Sequence, residues 1–67
     1  MKATSYTYTT SKGTNVETFT SNGYVTLVQN GVFQYEHHFG DLAIKLQEQM
    51  LVMELEKRSI QYTKEIN

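Results

Sequence analysis

Two Asn-Gly dipeptides, Asn22-Gly23 and Asn30-Gly31, constrain this chain more than any other feature. A tight type I′ hairpin loop needs positive φ at both central residues, and Asn-Gly meets that demand at the least steric cost. Each dipeptide stands between runs rich in Val, Thr, Tyr and Phe, which suit a pleated, half-buried surface. A weaker turn signal, Lys12-Gly13, follows the run Thr4 to Ser11. Three turns joining four β-prone runs predict an antiparallel meander, with strands over about residues 4–11, 15–21, 24–29 and 32–39.

Treating all three turns as two-residue loops sets a register, and directly opposed residues share a face of the sheet. Tyr8 then faces Glu17 and Tyr6 faces Phe19; Phe19 in turn faces Thr26, and Glu17 faces Val28. The last turn sets Val28 against Phe33, Thr26 against Tyr35, and Tyr24 against His37. One face then collects Tyr6, Tyr8, Phe19, Tyr24, Val28, Phe33, Tyr35 and Phe39. The other collects Thr7, Thr9, Val16, Thr18, Thr20, Val25, Leu27, Val32, Gln34 and Glu36. The aromatic set is the face expected to carry the core.

Gly40-Asp41 ends the fourth run, and the Asp41 carboxylate can cap a following helix. From Leu42 to Glu65 there is no Gly or Pro, and Leu, Met, Gln, Glu and Lys dominate. One long C-terminal α-helix over about residues 41–65, packed on the sheet, completes an α+β fold in a single domain spanning 1–67. The order of four strands then a long helix resembles, in topology alone, dimeric single-strand DNA-binding coactivator-like domains. At ~100° per residue the helix carries two apolar stripes on nearly opposite sides. Leu42, Leu46, Met50, Met53 and Ile60 form one; Ile44, Leu51, Leu55 and Tyr62 form the other, with Val52 at its edge. A helix of ~25 residues reaches ~37 Å, longer than a ~24 Å strand, so its last turns should overhang the sheet. The expectation is therefore a homodimer, with Ile44, Leu51, Val52, Leu55 and Tyr62 as the partner interface.

Size argues the same way. A 67-residue chain buries only roughly 60% of the surface its unfolded form exposes, and this one has no cysteine to supply a disulfide or thiolate zinc staple. A partner subunit is the remaining source of stability. No apolar run occupies the first fourteen residues, and the longest, Met50 to Met53, is far too short to span a bilayer. A cytoplasmic protein without membrane contact is the expectation.

Charge is unevenly spread. Lys12 and Glu17 are the only charges between Ala3 and Tyr35, while every other charge except Lys2 lies between Glu36 and Glu65. A formal net charge of −1 argues against a nucleic-acid partner, which favours a basic face. The alternative reading keeps one: a single-stranded nucleic-acid-binding dimer in which Lys45, Lys57, Arg58 and Lys64 of two chains line one groove.

His37-His38, with Glu36 and Asp41 nearby, is the one sequence cluster that invites metal or acid–base chemistry. Adjacent strand residues point to opposite faces, so the imidazoles should diverge. Glu17 is the polar oddity on the aromatic face, within reach of a tyrosine hydroxyl. No serine has a nucleophile-elbow context, and there is no phosphate loop. These readings predict no enzyme, no cofactor and no metal. They leave a small homo-oligomeric protein-binding module, a regulator or inhibitor acting on another protein's surface.

Overall fold

The computed structural model describes residues 2–67 and contains one antiparallel sheet and one helix. The elements run β1 (Ala3–Thr10), β2 (Gly13–Thr20), β3 (Tyr24–Gln29), β4 (Val32–His38), α1 (Ile44–Lys57) and β5 (Tyr62–Ile66). The four-stranded meander forms, but the helix is not the last element. A fifth strand follows α1 and pairs with the free edge of β1, giving the order β4-β3-β2-β1-β5. The element order therefore departs from that of the coactivator-like domains.

The long helix fails at its end for a reason written in its backbone. Ser59 has φ 57, the left-handed conformation, immediately after the C-cap Arg58. Its N–H donates to the Glu56 carbonyl, and the Ile60 N–H donates to the Leu55 carbonyl. This pair of bonds closes a helix C-terminus as a Schellman motif, with a serine where glycine usually stands. Beyond it Tyr62, Thr63 and Ile66 extend as β-prone residues. At the other end Asp41 is no cap: the N-cap position is Ala43, without a side-chain hydrogen bond. The helix has 14 residues, about 21 Å of axis, so no overhang arises.

The turns set the register, and only one of the three closes as a type I′ loop. Asn30 (φ 53) and Gly31 (φ 80) form it, and Val28 pairs with Phe33 as expected. At Asn22-Gly23 only Gly23 has positive φ, at 97. The Gly23 N–H donates to the Thr20 carbonyl, so Thr20–Gly23 is a β-turn inside a three-residue loop, and Phe19 pairs with Val25 rather than Thr26. A shift of one residue turns a strand over. Val25 and Leu27 move onto the face of Tyr6 and Phe19, while Tyr24 and Val28 move off it. In the first hairpin the loop is Ser11-Lys12, which places Tyr6 opposite Glu17 and Tyr8 opposite Asn15. The register there shifts by two residues, one full side-chain period, so face membership survives. An irregularity at Leu27/Val28 adds one residue to β4, and Leu27 pairs with Tyr35 and Val25 with His37. Phe33 remains on the side of Val28.

Gly23 is where the loop choice is enforced. It is buried, and a Cβ there would stand 2.5 Å from the Gly40 carbonyl carbon. Its own carbonyl accepts from the Phe39 N–H, fastening the end of β4 to this loop.

Helix α1 covers the Tyr6–Phe19 face. Tyr6, Phe19, Val25 and Ile44 form the core, with Tyr8, Leu51, Val52 and Tyr62 packed against it; Leu55 is buried as well. Tyr6 and Phe19 meet edge-to-face at 5.8 Å. Each fully buried side chain of this kind is worth about 1.5–3 kcal/mol of transfer free energy. The opposite sheet face, rich in Thr, Ser and Val, is uncovered.

Candidate functional site

The helix stripe expected to face a partner is the stripe that faces the sheet. Ile44 and Leu55 are buried inside the chain, and Leu51, Val52 and Tyr62 pack on its core. Two changes place it there: Tyr62 belongs to β5, beside Tyr8, and the register change brings Val25 under α1. The other stripe points outward. Leu42 is 95% exposed, Leu46 56%, Met50 54% and Met53 67%. Leu46, Met50 and Met53 form an apolar line along the outer side of the helix, with Leu42 in the turn just before it, an arrangement that signals a contact surface when contiguous. Lys45 sits one residue inside the start of α1, and Glu56 one residue inside its end.

The basic residues separate into two groups. Lys45 and Lys64 line an open groove with Tyr6, Glu48 and Met53, and Lys64 Nζ stands 5.9 Å from the Tyr6 ring centre. Glu48 lines the same groove and accepts a hydrogen bond from the Tyr6 hydroxyl. Lys57 and Arg58 are at the far end of the helix, where Arg58 Nε pairs with Glu54 at 2.7 Å. One chain therefore does not gather the four cations into one track.

The two histidines diverge as alternation requires. His38 stacks on Tyr24 with ring centres 4.5 Å apart and reaches the Asn22 carbonyl on the uncovered side. His37 lies on the covered side, 4.7 Å from the Tyr35 ring centre. Among the described residues no three His, Asp or Glu side chains converge on a common point.

The covered face instead presents a site that centres on Glu17. The carboxylate is half-buried and accepts a 2.9 Å hydrogen bond from the Tyr8 hydroxyl. It borders a cavity of about 90 Å³ whose walls are Phe19, Val25, Tyr35, His37, Phe39 and Gln47. Burial holds the Glu17 carboxyl above its ordinary value of 4.5, and the Tyr8 bond only partly offsets that. Burial likewise raises the Tyr8 hydroxyl, reinforced by the negative charge of Glu17 beside it, and the Tyr35 hydroxyl is raised by the same two causes. The tyrosine bond to Glu17 was legible as a possibility in the sequence, because one carboxylate stands alone among aromatics. The cavity was not, because it forms between β4 and α1, elements whose faces only the tertiary register fixes.

Among the described residues no helix is long and apolar enough to cross a membrane. The chain matches no protein-family model, no curated protein and no solved structure. The functional reading rests on the surfaces themselves.

Proposed function

We propose that this protein is a small, non-enzymatic protein-binding module that self-associates through the outer face of α1 and acts by occupying another protein's surface. The observation that carries the reading is the exposed line Leu42, Leu46, Met50 and Met53. Burying such a line against a second copy removes apolar area from water at about 25 cal/mol per Å². A two-fold antiparallel pairing with full helix overlap sets Lys45 of one copy against Glu56 of the other, twice over. It also opposes the two helix dipoles. The uncovered Thr, Ser and Val face, with Phe33 61% exposed at its margin, then remains for a different protein. The weak charge of that face suits a partner held by shape and apolar contact rather than by salt bridges.

Light scattering behind a sizing column tests the assembly. The expected mass is twice that of the 7.8 kDa chain and holds on dilution into the micromolar range. Joint Leu46→Glu and Met53→Glu substitution should give a folded monomer, since neither side chain belongs to the core cluster. A native protein that stays monomeric at high concentration would remove the self-association reading.

A further inference from the structure

The Glu17 cavity has a feature the core does not explain: a negative charge with no cation beside it. Among the described residues the one ion pair joins Arg58 to Glu54, and Glu17 takes part in none. Its Oε1 accepts from Tyr8, while Oε2 has no hydrogen-bond partner among the described residues. Among the described residues no side-chain polar atom is sealed off without a partner, so Oε2 retains access to open space.

The walls around that charge are aromatic. Along β4 and just beyond it Tyr35, His37 and Phe39 fall on one side of the strand. Their ring centres are spaced 4.7 Å and 6.1 Å, with interplanar angles of 41° and 57°. Phe19 and Val25, each 3% exposed, make the floor, and Phe39, 43% exposed, stands at the rim with His37. A space lined by aromatic rings with a carboxylate among them suits one ligand chemistry, an organic ammonium. Its charge answers the carboxylate, and its alkyl or N-methyl groups lie on ring faces. A cavity of about 90 Å³, where a single water needs roughly 10–15 Å³, leaves room for an ammonium with one to a few carbons. Divalent metals fit poorly, because they need several oxygen or nitrogen ligands and Glu17 is the only carboxylate here.

We propose that the cavity formed by Glu17, Phe19, Tyr35, His37 and Phe39 binds an alkylammonium head group, as carried by a free amine or by a methylated or unmethylated lysine side chain. The site lies under α1 and does not depend on self-association.

The experiment is an NMR titration of the ¹⁵N-labelled protein at neutral pH with methylammonium chloride and, separately, tetramethylammonium chloride. Sodium chloride at matched ionic strength is the control. The expected result is a saturable shift confined to the amides around Glu17, Tyr35, His37 and Phe39, absent with sodium. Tighter methylammonium binding assigns the site to unmethylated amines, and tighter tetramethylammonium binding assigns it to methylated ones; either supports the proposal. Glu17→Gln should weaken binding by roughly tenfold or more, the loss expected of a removed ionic partner. Phe39→Leu at the exposed rim should weaken it several-fold. It keeps the test decisive if circular dichroism shows that Glu17→Gln does not fold. No saturable shift with either ammonium, a shift equal to that with sodium, or full binding by a folded Glu17→Gln or Phe39→Leu protein overturns the proposal.

Discussion

At Glu17 the sheet takes a carboxyl half out of water beside Phe19, Tyr35 and Phe39, and this makes the fold sensitive to pH there. The folded chain holds the Glu17 proton more tightly than the unfolded chain does, because its folded value is raised. Between 4.5 and that raised value the native state binds more protons, so stability falls as pH rises through this window. Below the window the contribution is fully present; above it, it is lost. Glu17→Gln should remove this fall, matching the parent in acid and exceeding it at neutral pH, as read from urea midpoints at a series of pH values. A variant with the parent's pH slope would show that another group sets it. Position 17 was recognisable from sequence as a lone acid in an uncharged stretch, but its surroundings depended on how β3 turned over.

At the scale of elements, two short backbone events decide the architecture. One is the three-residue loop at Ser21–Gly23, which turns β3 over and splits the aromatic set, sending Tyr24 and Phe33 away from the helix. The other is the left-handed Ser59, which stops α1 and frees Tyr62–Ile66 to pair with β1. A non-glycine residue held there costs about 1–2 kcal/mol, part of which glycine recovers despite its greater unfolded entropy. Ser59→Gly should therefore stabilise the protein by roughly 0.5–1 kcal/mol in urea unfolding. A loss of stability would mean that the Ser59 side chain contributes more than its strained backbone costs. The gap between sequence and structure has the same root. Gln61, Lys64 and Glu65 suit a helix surface as well as a strand edge, so propensity could not locate the break after Arg58. The β-prone Ile60, Tyr62, Thr63 and Ile66 were the signal available for it.

For the whole molecule, the fifth strand takes the place of the helix's expected last turns and covers the β1 edge of the sheet. With β5 on β1, the charged Lys64 and Glu65 lie at one margin of the sheet, and β4 stays open at the other. The self-association proposed for the outer face of α1 makes a prediction at this scale. Lys45→Glu alone and Glu56→Lys alone should each weaken the dimer by placing like charges together, and the double exchange should restore it. Sedimentation equilibrium of the three variants reads this directly. Equal dimer strength in all of them would exclude the antiparallel pairing while leaving a dimer through another surface open to the same measurement.

By itself the sequence determined that the chain is an antiparallel meander followed by an amphipathic helix, because Asn-Gly turns, β-prone runs and a stretch free of Gly and Pro act locally. It also determined that the helix carries two apolar stripes and that His37 and His38 point apart. Only the tertiary structure decided which stripe faces inward. Loop length at Asn22-Gly23 and the stop at Ser59 each turn on a single backbone conformation, and the contacts that select it, Gly23 against Gly40 and Tyr62 beside Tyr8, join residues far apart in the chain. Those same distant contacts set Phe19, Tyr35 and Phe39 around Glu17, so the site exists only once the sheet and helix have met.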